Sequence, residues 1–327
     1  MRLILISALL GVFHLSFGQQ SPRVGVLVLA HGAGQTWNQQ VIDATKSVAA
    51  KYPTEVAFGM ALPRTMQEGI DKLEAKGVKE IVVVPLFISS HSFIIRQSEY
   101  LLGLREKLAD PPMVMDHSND APAGTSSHGG HDSGHAGSHG SNHSMNHTGT
   151  THGNEPTSLP RLTVHSQIKF ARPLDDHPLV AQILADRIAS LSKDPARETV
   201  ILVGHGPNPE DDNRNWVRDM ESLASQVRQL QETSGKSSRM ILCATVRDDA
   251  DPALYNQAKE NLRSLVRQGS QQGDVIVVPV FLSSGSVEQK VASRLEGLRF
   301  AWEGKTLLPD PRISAFIMDS VEKQLKP

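Results

Sequence analysis

The chain has 327 residues, of which 39% are hydrophobic and 21% charged, with a formal net charge of −2 and a single cysteine. This length allows two domains of ordinary size, and the mixed charge provides no basic stripe for nucleic acid. A lone Cys243 excludes an intrachain disulfide and argues against a thiolate metal site; within the apolar run Met240-Ile241-Leu242-Cys243-Ala244 it reads as a buried, inert strand residue.

In chain order, Met1-Arg2, a short apolar stretch over 3–12 and then Ser16-Phe17-Gly18 predict a secretory signal, residues 1–18, removed after about Gly18. The apolar run is interrupted by His14 and is short for a bilayer span, so the expectation is an exported protein, periplasmic or secreted, with no stable membrane insertion after cleavage. Strands are predicted over 23–30, 54–60 and 80–87, and helices over 37–51, 65–76 and 93–108. From 110 to 160 the composition turns to Gly, Ser, Asn, Thr and His with almost nothing apolar, which predicts a disordered insertion inside the first unit. Structure is expected to resume with a strand over 162–170 and a helix over 178–191. A second unit then follows, with strands over 199–203, 239–246, 274–281 and 300–308. Its helices are expected over 213–231, 251–268, 287–298 and 313–325.

Four strand–helix pairs per unit require right-handed crossovers and a parallel sheet covered on both faces. The predicted fold is α/β: two similar three-layer lobes, 22–193 and 197–327, each with a four-stranded parallel sheet and both facing a central cleft. The expected assembly is a monomer with pseudo-twofold lobes.

Two motifs occur once in each unit. An apolar run ends in His-Gly at Ala30-His31-Gly32 and at Gly204-His205-Gly206. A second run ends in small polar residues, Val84-Pro85-Leu86-Phe87-Ile88-Ser89-Ser90-His91 in one copy and Val278-Pro279-Val280-Phe281-Leu282-Ser283-Ser284-Gly285 in the other. Both read as buried parallel strands delivering polar loops at their carboxyl ends, the edge where open α/β sheets bind ligands. Their recurrence implies an internal duplication. It also nominates Ser89, Ser90, His205, Ser283 and Ser284 as ligand-contacting positions.

In the order and spacing of these motifs the chain resembles the class II chelatases, specifically the sirohydrochlorin cobaltochelatase and ferrochelatase family in its duplicated, two-lobe form. The resemblance implies a lyase that inserts Co²⁺ or Fe²⁺, as substrate, into a tetrapyrrole between the lobes without a nucleotide. It implies one metal-binding histidine at the end of strand one, matched by His31 with His205 as its counterpart, and another in the loop after strand three. His91 is the candidate there, about two residues short of the family's usual Gly-Gly-His position, where Phe93 stands. Gly285 takes its place in the second unit, so only the first carries a histidine pair.

Metal insertion needs a ligand for the ion and bases for two pyrrole protons. Neutral imidazole suits Co²⁺ and Fe²⁺, with Ni²⁺ a further metal it accepts, and histidine exchanges protons near neutral pH. His31, His91 and Glu99, about two helical turns past His91, are therefore the candidate catalytic residues. No Gly-x-x-x-x-Gly-Lys is present for nucleotide-driven chemistry and no Gly-x-Ser-x-Gly for an esterase. Asp211, Asp212, Asp248, Asp249 and Asp251 read as helix caps and solvated turns. In the insertion, His128, His131, His135, His139, His143, His147 and His152 recur among Gly and Ser, a pattern suited to loose binding of divalent metals. The competing reading is an exported metal-binding or delivery protein on a chelatase scaffold without turnover.

Overall fold

The computed structural model describes residues 23–108, 159–285 and 287–326. The predicted signal, residues 1–18, and the histidines of the insertion, His128, His131, His135, His139, His143, His147 and His152, lie outside the described residues.

The first sheet holds β1 (Val24–Ala30), β2 (Thr54–Phe58), β3 (Glu80–Pro85) and β4 (Gln167–Phe170) in the parallel order β2-β1-β3-β4. It is connected through helices α1 (Gln35–Ala49), α2 (Pro63–Ala75) and α3 (Phe93–Leu101), with α4 (Pro178–Leu191) following β4. The second sheet holds β5 (Glu198–Gly204), β6 (Met240–Thr245) and β7 (Asp274–Val280) in the parallel order β6-β5-β7. Helices α5 (Glu210–Thr233), α6 (Pro252–Ser270), α7 (Val287–Arg294) and α8 (Pro311–Leu325) accompany it. Pro63, Pro178, Pro252 and Pro311 each open a helix, where the missing N–H costs nothing and the fixed φ suits the first turn.

Side-chain alternation along the strands sorts the core into layers. Val26 and Val28 of β1 and Val82 and Val84 of β3 face inward with α1 and α8, whereas Leu27, Leu29, Ile81 and Val83 face outward onto α2 and α3. In the second sheet Val200, Leu202, Ile276 and Val278 face inward, and Ile201, Val203, Val275 and Val277 meet α6 and α7 outside. The two inward faces share one continuous core through α1, α4, α5 and α8.

Within that shared layer the last helix of each unit crosses to the other. Helix α4 packs on α5 and β7, while α8 packs on α1 and β3. The crossing is pinned by Arg312 to Asp186 at 2.6 Å, His177 to Asp319 at 3.2 Å and Lys51 to Glu322 at 3.4 Å.

Several predicted elements are shorter than expected, among them the helix over 287–298, which ends at Arg294, and in three of them the reason is local. The strand predicted over 162–170 pairs only from Gln167, because the N–H groups of Thr163, His165 and Ser166 bond the side chains of Gln67 and Glu74 on α2. The helix predicted over 93–108 ends at Leu101, where Gly103 adopts φ +78° and the Leu104 N–H returns to the Glu99 carbonyl. The fourth strand of the second sheet, predicted over 300–308, survives as a single bridge between Ala301 and Ile276, since Gly304 at φ +69° turns the chain away.

Candidate functional site

The carboxyl edges of the two sheets meet where each unit's strand-end loop touches the first helix of the other. The loop after β3 is fixed by the carbonyls of Phe87 and Ile88, which accept from the N–H groups of Leu174 and Asp175. The loop after β7 repeats this ladder, with Phe281 and Leu282 accepting from Leu307 and Leu308. The repeated Phe-x-Ser-Ser motif therefore has a backbone role in both copies. Ser89 and Ser283 are buried and turn their hydroxyls to the opposite lobe, Ser89 to Asp219 on α5 at 3.4 Å and Ser283 to Gln40 on α1 at 2.6 Å. Ser90 is half-buried, its N–H donating to Asp175 at 2.6 Å, and Ser284 is exposed beside Thr306 at 3.4 Å.

His31 and His205 end β1 and β5 in the same way. Each Nδ1 lies against the carbonyl of the following glycine, at 2.6 Å for His31 and 3.1 Å for His205. A carbonyl can only accept, so Nδ1 carries the hydrogen and Nε2 the lone pair, the tautomer that suits a metal ligand or a base. Gly32 at φ +78° and Gly206 at φ +73° make these turns, and a Cβ at Gly206 would stand 2.4 Å from Thr245 Cβ. His31 is exposed, its ring 6.3 Å from that of Trp37; His205 is half-buried.

His91 follows β3, the neighbour of β1, so parallel pairing puts it and His31 on one edge of the first sheet. Its N–H donates to Ser89 Oγ at 3.1 Å, and its Nε2 stands 3.7 Å from the Asp219 carboxylate of α5. Burial, reinforced by the nearby Asp175, pushes the Asp219 carboxyl above its ordinary range, with His91 pulling it back. Next to this pair Arg96 grips Asp212 with two bonds of 3.1 and 2.8 Å, joining α3 to the first turn of α5.

Glu99 lies further along α3, paired with Arg105 at 3.2 Å. Among the described residues no group of three or more His, Cys, Asp or Glu side chains converges as a metal cage. The sequence reading missed Asp219 altogether; its only signal was its place on the first helix of the second unit, matching Gln40 in the first. Of the acidic residues read as caps, Asp251 caps α6, but Asp212 bridges the lobes and Asp248 is buried against Arg294 and Lys290, both at 2.7 Å. Cys243 is partly buried, its thiol pushed up to about 12 by that burial, which keeps it inert.

Two parallel sheets whose strand-end loops reach across to the other unit, with a histidine at the end of β1 and of β5, define a two-lobed α/β protein with a chelatase-like fold. Residues 25–99 match the CbiX family model, a span that contains both His31 and His91. A sirohydrochlorin cobaltochelatase of Methanothermobacter thermautotrophicus is 29% identical over 92 residues, which are 27% of this chain and 64% of that protein. A sirohydrochlorin cobaltochelatase of Methanococcoides burtonii is 24% identical over 115 residues, 34% of this chain and 87% of that protein. The match thus spans less than two thirds of the length of the first relative. In fold, the structure of SirB from Bacillus subtilis with Fe³⁺ aligns with a TM-score of 0.53 and 13% identity, covering 92% of this chain and 95% of that one. The structure of CbiX, the terminal enzyme for biosynthesis of siroheme in denitrifying bacteria, aligns with a TM-score of 0.51 and 15% identity over 92% of this chain and all of that one. Together these comparisons show a fold shared with chelatase structures and a CbiX family match over residues 25–99.

Proposed function

We propose that the protein inserts a divalent metal, Co²⁺ or Fe²⁺, into a sirohydrochlorin-type tetrapyrrole at the carboxyl edge of the first sheet. The observation that carries this reading is the coincidence of the family match over 25–99 with the two histidines that β1 and β3 deliver to one sheet edge. The reaction exchanges two pyrrole protons for the metal ion, so it needs donors that hold the ion loosely and a base beside the ring.

His91 holds the ion, and the lone pair of His31 Nε2, directed away from Gly32, ligates it from the other side or accepts a pyrrole proton. Glu99 is engaged by Arg105, which leaves the histidines as the first acceptors. His205, Ser90 and Ser284 contact the ring. The protein works as an exported monomer, and the histidine tract from His128 to His152 raises the local metal concentration without forming the site of insertion.

The test is anaerobic incubation of the protein with sirohydrochlorin and Co²⁺ or Fe²⁺, following the ring's absorption against a protein-free control. Catalytic insertion, abolished in His31→Ala, is the expected result; an unchanged rate in His31→Ala overturns the assignment. Deleting residues 117 to 152 separates this reading from metal delivery. Turnover that persists at high metal supports insertion, and metal capacity that vanishes from a protein showing no turnover supports delivery.

A further inference from the structure

In the sequence the histidine pair, His31 and His91, lies in the first unit alone. The three-dimensional arrangement brings in the other unit. The geometry points to Asp219, on α5 of the second lobe, as a ligand that shares the metal substrate with His91 of the first. This inference rests on the proposed metal-insertion site and adds a donor to it.

His91 Nε2 and Asp219 Oδ2 are 3.7 Å apart, too far for a hydrogen bond, which lies at roughly 2.7–3.2 Å for N–H···O. Two donors that each stand about 2.1 Å from one ion, with an angle between them of about 110–125°, are separated by roughly 3.4–3.7 Å. The observed spacing fits two ligands on one ion as well as it fits a loose ion pair. Only these two side chains need be involved, since a metal on its way into a macrocycle must keep positions open for the ring nitrogens.

The other half supplies a matched position. Trp37, Val41, Ala44 and Val48 of α1 correspond to Trp216, Met220, Leu223 and Val227 of α5, so Gln40 corresponds to Asp219. Opposite Gln40 the strand-end loop carries Gly285, and opposite Asp219 it carries His91. The acid and the histidine thus occur together on one side of the molecule. On the other side their places are taken by a neutral amide and a residue with no side chain. A purely structural contact is fully served by the neutral version, as the 2.6 Å Ser283–Gln40 bond shows.

The ionisable groups that bear on Asp219 are Asp175, itself paired with Arg172 at 3.1 Å, Asp176 and His91, and a cation held between His91 and Asp219 would be balanced by these carboxylates. The side chains remain reachable, at 38% exposure for His91 and 18% for Asp219.

The test uses the full chain and Co²⁺ alone, titrated anaerobically while the visible ligand-field spectrum of the tightest site is recorded. Asp219→Asn preserves shape and removes a charged donor. It is expected to weaken that site by at least about tenfold, the scale on which even outer partners of a metal ligand act, and to alter its spectrum. Asp219→Glu, which keeps the carboxylate, retains the greater part of the affinity. His91→Ala shows a comparable loss, and the double variant loses less than the product of the single losses, because the two donors serve one ion. Unchanged affinity and spectrum in Asp219→Asn overturn the assignment. Insertion into sirohydrochlorin is scored on the same proteins. If the parent inserts metal while Asp219→Asn leaves the tightest site untouched, the ligand assignment fails alone. If the parent inserts none but Asp219→Asn loses the site, the proposed activity fails and the ligand assignment stands.

Discussion

The loop after β3 and the loop after β7 share a backbone and differ in what they hold. Both anchor two carbonyls to a later segment and bury a serine against the opposite lobe's first helix. One ends in His91 facing Asp219; the other ends in Gly285, beside Trp37, with a neutral Ser283–Gln40 bond below it. The sheet corners differ in the same spirit. At the edge of the second sheet Arg294, buried and stacked 3.9 Å from the Tyr255 ring, ties to Asp248, and Arg247 ties to Glu210 at 2.7 Å. At the corresponding corner of the first, the Gln97 amide donates to the Ala61 carbonyl at 3.1 Å. A repeated motif can therefore be read as scaffold, and chemistry has to be looked for in the side chains by which the two copies differ.

The largest test of that difference is catalytic. His31→Ala is expected to lower sirohydrochlorin metallation by about 10²–10⁴-fold, the range for losing a positioned base, whereas His205→Ala, which removes one ring contact, lowers it by about tenfold at most. Equal losses in both variants, measured by ring absorption, would break the comparison. Next in size are the turns. Gly206→Ala places a Cβ against Thr245 and Asn213 in a left-handed conformation and should cost about 2–4 kcal/mol in denaturant unfolding. Gly32→Ala, whose nearest neighbour is Phe58 Cβ at 3.0 Å, should cost less, about 1–2 kcal/mol.

The inter-lobe bonds come third. Arg96→Ala leaves Asp212 partly buried without its two-bond partner and is expected to cost about 2–3 kcal/mol. Gln40→Ala on the opposite side removes one neutral bond and should cost about 1 kcal/mol. The smallest effect concerns the helix start at α8. The Arg312 side chain holds the Asp310 carboxyl below its ordinary range, so its stabilising contribution is present above the ordinary carboxylate value and lost as pH falls through the lowered one. Asp310→Asn, which still caps the helix, should cost about 1 kcal/mol at neutral pH once solvent screening is allowed for. That cost should vanish in unfolding curves taken in acid.

Much of the scaffold was legible before any coordinate. Continuous β-branched runs such as Ile81 to Val84 and Val275 to Val278 are buried on both faces, and a parallel strand between two helical layers has no polar side to confuse the pattern. His31 and His205 were legible because a strand, a histidine and a glycine in sequence fix a local turn. Strand 162–166 was misjudged because its backbone partners are the side chains of Gln67 and Glu74 on α2, which no periodicity records. The sequence shows Asp212 and Asp248 only as residues of caps and turns, because an acid's partner, when it comes from another element, leaves no mark in its own neighbourhood.

The sequence by itself determined the order of strands and helices, the two strand-end histidine turns and the lobe that carries His91, since each depends on residues a few positions apart. The tertiary structure alone decided that α4 lies on the second sheet and α8 on the first, that Arg96 meets Asp212, and that Asp219 stands before His91. The physical reason is that hydrophobic burial is non-directional. An apolar helix face is satisfied by either sheet, and only the simultaneous packing of α1, α4, α5 and α8 into one shared core selects which polar groups come to face one another across it.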